Sequence, residues 1–244
     1  MASAHPRPFR TTTALRHLKK QDPALGRLID KVGAYTARVE GLSSPFAALA
    51  ESVMHQQITG KAAATIVRRF KEKLGEGGES FPTPEAVLGA SDETLRGVGL
   101  SGSKVRAMRD LAEKTLNGTV PALEALLAME EDHIAERLTQ IRGIGIWTVH
   151  MLLIFRLGRP DVLPASDYGI RKGFMHAFRG KELPSPKDIE RRAERWRPYR
   201  SVASWYLWRA LELPQKPRPK HAPKPVAPRS KSSKPRTRLT GKSA

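Results

Sequence analysis

The sequence predicts an all-α fold. No stretch alternates apolar and polar residues for a useful length, as a half-buried strand would. Instead, apolar residues recur at the three- and four-residue spacing of a helix face, bracketed by start and stop signals. At 244 residues and 39% hydrophobic content, the chain is long enough for one sizeable core or two small ones.

Taken in order, Leu15, Leu18, Leu25, Leu28, Ile29 and Val32 predict helices interrupted near Asp22-Pro23. Ser44-Pro45 is an N-cap with proline at the first helical position, and it opens a helix carrying Phe46, Leu49, Val53 and Met54. Thr59-Gly60 punctuates that helix. The next shows Ala63, Ile66, Val67, Phe70 and Leu74 and stops at Gly75. Thr83-Pro84 and Ser91 start short helices. After the glycine-rich turn "GVGLSGSK", Val105, Met108, Leu111 and Leu116 mark a helix ending at Asn117-Gly118. Leu123 to Met129, Ile134 to Ile141, Trp147 to Leu157 and Asp167 to Phe178 follow. Ser185-Pro186-Lys187-Asp188 has capping chemistry before Ile189 to Trp196, and Trp205 to Leu211 closes the series. The expectation is about ten helices in one domain over residues 11–213, after a flexible N-terminus at 1–10.

Residues 214–244 read differently. They hold seven prolines, 10 of the chain's 43 Lys and Arg, no acid and hardly any large apolar residue. Such a segment cannot bury enough surface to fold, so a disordered basic tail is expected. The rest keeps 33 basic against 24 acidic residues, so the formal charge of +19 does not come from the tail alone. A body this basic points to a polyanion, with nucleic acid first. The absence of cysteine excludes disulfides, cysteine nucleophiles, Cys-ligated zinc and iron–sulfur clusters. No run reaches the length of a membrane span and the N-terminus has no secretory core, so the expectation is an intracellular protein of the cytoplasm or nucleoid with no membrane partner.

Within "LTQIRGIGIWTVHMLLIF", Gly143-Ile144-Gly145 breaks one helical stripe and a second restarts at once with Trp147. A helix N-terminus presents unpaired N–H groups and the positive end of a dipole, and glycines let a backbone approach closely. Helix, Gly-x-Gly turn, helix is therefore a way to grip a phosphate. It is equally a tight turn between packed helices, and the two glycines alone leave both readings open.

The wider pattern resembles the helix-hairpin-helix DNA repair glycosylases. Leu138-x-x-Ile141-x-Gly143-Ile144-Gly145-x-Trp147-Thr148 is similar to their hairpin, and "PDVLPASDYGIRKG" from Pro160 to their Gly/Pro-rich loop ending in aspartate. "QQITGKAAATI" (56–66), "GLSGSKVRAMRDLA" (99–112) and "AERWRPYRSVASWYLWRAL" (193–211) resemble the alkyl-base, DNA-3-methyladenine branch. The five segments run in family order. The resemblance implies a two-lobed helical fold. Larger members carry an N-terminal sheet domain, and with only about 40 residues before Ser44 that domain is expected to be absent.

The resemblance also implies roles. Asp167 matches the catalytic aspartate, although it also sits where a helix N-cap belongs, with Asp161 as its rival. Trp147 and Trp208 match the aromatics of the base pocket, where an electron-rich ring selects a cationic methylated base. Met151 stands where some relatives have an aromatic. Lyase relatives place a lysine at position 147, so Trp147 implies a monofunctional enzyme without AP-lyase activity; the nearest downstream lysine is Lys172. Gly143, Gly145 and Thr148 are the backbone grip, Gln57 the wedge that fills the gap left by a flipped base, and Gln56 its neighbour on the DNA-facing side. Arg142 and Lys104 are candidate phosphate neighbours. No cofactor is implied beyond a Na+ or K+ held by the main-chain carbonyls of Thr139, Ile141 and Ile144. The expected partner is double-stranded DNA carrying alkylated bases, met by a monomer. A mismatch or deaminated-base glycosylase, or a non-catalytic DNA-binding protein, are the alternatives.

Overall fold

In the computed structural model, residues 8–42 and 44–214 are described; the expected flexible N-terminus and basic tail fall almost wholly outside them. Among the described residues there are thirteen α-helices and no strand. They are α1 (Thr11–Gln21), α2 (Pro23–Val32), α3 (Pro45–His55), α4 (Gly60–Leu74), α5 (Pro84–Gly89), α6 (Asp92–Gly97), α7 (Gly102–Leu116), α8 (Leu123–Ala128), α9 (Glu131–Leu138), α10 (Ile146–Met151), α11 (Tyr168–Ala177), α12 (Pro186–Ala193) and α13 (Arg200–Arg209).

The caps stand where the sequence puts them. The Ser44, Thr59, Thr83, Ser91 and Ser101 side chains each accept an amide of the following first turn. Ser185 and Asp188 form a reciprocal capping box. Two elements differ from expectation. The last helix starts at Arg200, five residues before Trp205, because it is capped by tertiary contacts and Tyr199 offers no side-chain cap to read. The helix after the Gly-x-Gly turn is α-helical only to Met151 and then widens into a π-turn over Leu152–Arg156.

Two apolar cores make two lobes. One joins α3 to α10 around Phe70, Met108, Leu111, Leu126, Ile134 and Leu138, all fully buried. Its centre is α7, which packs on α3, α5 and α6. The other joins the two ends of the described chain: α1 and α2 pack with α11, α12 and α13 around Leu18, Leu25, Ile170, Ile189, Trp196 and Tyr206. The chain thus crosses between lobes twice, before α3 and in the loop 158–166 before α11. Trp208 touches both cores.

The terminal lobe is fastened by one buried carboxylate. Asp22, 1% exposed, caps α2 by accepting from the Ala24 and Leu25 amides. It also accepts from Arg192 Nε and Nη2, both at 2.8 Å, and from Trp196 Nε1 at 3.0 Å. Burial pushes its carboxyl up, but the bonds from Arg192, Trp196 and Leu25 outweigh that and hold it below the ordinary value of 3.8.

Asp22→Ala removes the cap and strands the Arg192 charge, and should cost about 3–5 kcal/mol in urea unfolding. Since the folded value is depressed, the contribution of Asp22 is present above 3.8 and fades as pH falls through the folded value. The gap between wild type and Asp22→Ala should therefore shrink on acidification from pH 7 to 3. An unchanged gap would refute the assignment.

Candidate active site

The Gly-x-Gly turn is held into the middle lobe by Ile141 and Ile144, both buried, while Gly143 and Gly145 lie exposed between them. Gly143 has φ +81°, a left-handed conformation that a side chain would strain. Three neighbours hold the turn from outside. Gln56 Nε2 donates to the Gly143 carbonyl at 2.8 Å. Asp110 of α7 accepts from the Arg142 amide at 2.6 Å. Lys114 donates to the Gln140 carbonyl. The Gly143 and Gly145 amides have no backbone acceptor among the described residues. For a cation, the Ile141 carbonyl is shared with the Ile144 amide at 3.0 Å, while those of Thr139 and Ile144 receive no backbone amide among the described residues. Neutral carbonyl oxygens are hard donors that suit an alkali cation.

Some sequence-named residues are engaged differently than expected. The Gln56 side chain braces the turn through its Nε2. Lys104 Nζ donates to the carbonyls of Met54 and Gln56 at 2.7 and 2.9 Å, capping the end of α3, and its burial pushes the ammonium below its ordinary value. Thr148 is buried as a whole residue, at 6% exposure, so its hydroxyl is not presented to a ligand. Gln57, by contrast, is exposed and has φ +59°, a conformation uncommon outside glycine.

Asp167 ends the second lobe crossing as the N-cap of α11. Its Oδ1 accepts from the Ile170 amide at 2.7 Å and from Trp208 Nε1 at 2.9 Å. Its Oδ2 accepts from Trp147 Nε1 at 2.8 Å. The helix cap and the residue that resembles the family's catalytic aspartate are therefore one group, and both sequence-named tryptophans point their N–H edges at it. Trp147 is 48% exposed and pairs with no aromatic ring among the described residues. Met151 lies one turn further along, half-buried. Phe155, carried by the π-turn, lies tilted against Trp208 at 5.8 Å between centroids; no feature of the sequence announced it.

The rival Asp161 is fully used elsewhere. It pairs with Arg197 Nη1 at 2.7 Å and with Arg200 Nε at 2.8 Å, and accepts the Arg200 amide. Ser201 Oγ donates to the Arg159 carbonyl and accepts from the Val162 amide. The start of α13 thus anchors the loop, and its last turn supplies Trp208. Two glycines set the fit of α11 on α13. A Cβ on Gly173 would lie 1.9 Å from the Leu207 carbonyl oxygen, and one on Gly169 would meet Trp208 Cδ1 at 2.9 Å.

The HhH-GPD superfamily of base excision DNA repair proteins matches residues 50–198, and the chain belongs to that superfamily. It is 38% identical over 203 residues to DNA-3-methyladenine glycosylase 1 of Schizosaccharomyces pombe, covering 83% of this chain and 88% of that protein. The solved structure of S. pombe 3-methyladenine DNA glycosylase in complex with abasic DNA superposes with a TM-score of 0.73 at 38% identity, covering 82% of this chain and 97% of that one. A DNA-3-methyladenine glycosidase from Bacillus halodurans gives 0.72 at 32% identity, over 81% and 88%.

The cap and any chemistry of Asp167 are separable. Asp167→Ala removes the acceptor of Ile170 and both indoles and should cost about 1–2 kcal/mol. Asp167→Asn keeps one acceptor oxygen and should stay within about 1 kcal/mol of wild type. Equal losses in urea unfolding would mean that the oxygen does not cap.

Proposed function

We propose that the chain is a monofunctional DNA glycosylase that flips alkylated purines, 3-methyladenine and 7-methylguanine among them, out of duplex DNA and hydrolyses their N-glycosidic bond. The observation that carries this reading is the convergence of Trp147 and Trp208 on the Asp167 carboxylate, one hairpin away from exposed glycine amides. The relatives' names, DNA-3-methyladenine glycosylases, support the alkyl-base class.

A base inside the stack is out of reach, so it must leave the duplex. Gln57, exposed and held in a strained backbone, is the side chain suited to fill the gap. The Gly143 and Gly145 amides, with the first turn of α10 up to Thr148, grip a backbone phosphate. A Na+ or K+ on the carbonyls of Thr139, Ile141 and Ile144 would add positive charge there. A purine methylated on a ring nitrogen is cationic, and the exposed Trp147 indole would attract it by about 0.5–2 kcal/mol. The indole's bond to a carboxylate leaves the ring more electron-rich, which favours that contact. When the glycosidic bond breaks, its electron pair goes to the base, which departs neutral, and C1′ becomes positive. In this reading the Asp167 carboxylate stabilises that charge. Water then bonds to C1′ and gives up a proton, which the carboxylate is placed to accept. No amine stands at position 147 to form a Schiff base. Lys172 lies on α11 with its ammonium 5.9 Å from the Tyr168 ring.

Duplex DNA treated with a methylating agent should lose free methylated purines on incubation with the protein, while the strand stays intact until heat or alkali is applied. Strand nicking that Lys172→Ala abolishes would overturn the monofunctional assignment. Binding without release of methylated bases would overturn the alkyl-base assignment and favour the deaminated-base or binding-only alternatives.

A further inference from the structure

We propose that Gly169 is a positioning residue for catalysis: its missing side chain is what lets Trp208 reach Asp167. The inference rests on the glycosylase reading above for its consequence and on geometry alone for its cause. Gly169 and Gly173 lie one turn apart on the face of α11 that meets α13. What they leave room for is different. At Gly173 the obstacle is backbone: a Cβ would lie 1.9 Å from the Leu207 carbonyl oxygen and 2.6 Å from its carbon, so a side chain there forces the helices apart. At Gly169 it is the site itself: a Cβ would lie 2.9 Å from Trp208 Cδ1, 3.1 Å from Trp208 Nε1 and 3.0 Å from Asp167 Oδ1. Those three atoms frame the 2.9 Å hydrogen bond between the indole and the carboxylate.

Gly169 does not need its glycine for backbone reasons. It sits inside α11, where φ is helical and alanine is the better helix former. What the missing Cβ provides at this position is space for its neighbours. Trp208 is hemmed in on another side by Phe155, at 5.8 Å between centroids, so it cannot slide away freely from a new methyl group. Alanine at 169 must displace the indole edge, and the hydrogen bond to Asp167 Oδ1 goes with it.

The experiment is a double-mutant cycle with an independent spectroscopic readout. Wild type, Gly169→Ala, Trp208→Phe and the double variant are compared by single-turnover release of methylated purine, by duplex DNA affinity and by thermal midpoint. In Gly169→Ala the release rate should fall at least tenfold with DNA affinity within about twofold. In the Trp208→Phe background, where no N–H remains to displace, the same substitution should change the rate by less than about twofold. The Trp208 indole N–H resonance of Gly169→Ala should move upfield, as it does when a bond to a carboxylate is lost. That shift is read in the free protein, so it tests the geometry even if wild type releases no base and the functional reading fails. A Gly169→Ala protein with wild-type rate, an unmoved indole resonance and a raised melting point would overturn the proposal. So would a rate loss of equal size in both backgrounds, since the glycine would then act through something other than Trp208. If Gly169→Ala fails to fold, Gly169→Ser is not informative, and Phe155→Ala in the Gly169→Ala background is made to give the indole room. Recovery of fold with the release rate still at least tenfold low and the indole resonance still upfield supports the proposal, and recovery of fold with an indole still bonded to Asp167 refutes it.

Discussion

The structure turns on one carboxylate. Asp167 stands where the chain returns from the middle lobe to the terminal lobe, and its two oxygens take three N–H groups from three elements: α10, α11 and α13. Each donor is delivered by a different part of the fold. The hairpin delivers Trp147, the cap of α11 delivers the Ile170 amide, and the close crossing of α11 on α13 delivers Trp208. A carboxylate that is also a helix cap cannot turn away without undoing the first turn of its helix. That is a rigid way to hold a negative charge at a seam open to solvent, and rigidity is what electrostatic stabilisation of a transition state requires.

The second support is α13. Its first turn fixes the loop before Asp167, with Arg200 on Asp161 and Ser201 on the Arg159 and Val162 main chain. Its last turn brings Trp208. The loop and Trp208 are therefore two ends of one short rod, and Trp208 packs against both cores. The glycine turn is built on the other principle. Buried isoleucines and the braces from Gln56, Asp110 and Lys114 fix its path, leaving the Gly143 and Gly145 main chain exposed.

Much of this was legible in the sequence for identifiable reasons. Helices are written in apolar spacing and in local caps, so the starts at Pro45, Gly60, Pro84, Asp92 and Pro186 follow from Ser or Thr just before them. Asp167, Trp147 and Trp208 were found because a motif fixes their order, not because their spacing implies contact: 20 and 41 residues separate each tryptophan from the aspartate. What stayed hidden depends on tertiary geometry. The start of α13 has no side-chain cap. Gln56 and Lys104 read as DNA contacts because long polar side chains at a helix end do, and only the folded chain shows carbonyls within their reach. Thr148 read as part of a grip by its place in the motif, yet its side chain faces inward. Gly169 and Gly173, at a one-turn spacing, are a sequence signal for a face on which another helix lies close.

The measurement that bears most directly on this account is the single-turnover rate of base release by Asp167→Asn, taken with its affinity for the same methylated duplex. Asparagine keeps the shape and an acceptor oxygen but lacks the charge. If the carboxylate stabilises the charge that develops on the sugar, the rate falls by roughly a hundredfold or more while affinity changes little. A rate within a few-fold of wild type would contradict the account, and Asp167 would then be a helix cap that happens to lie beside two tryptophans.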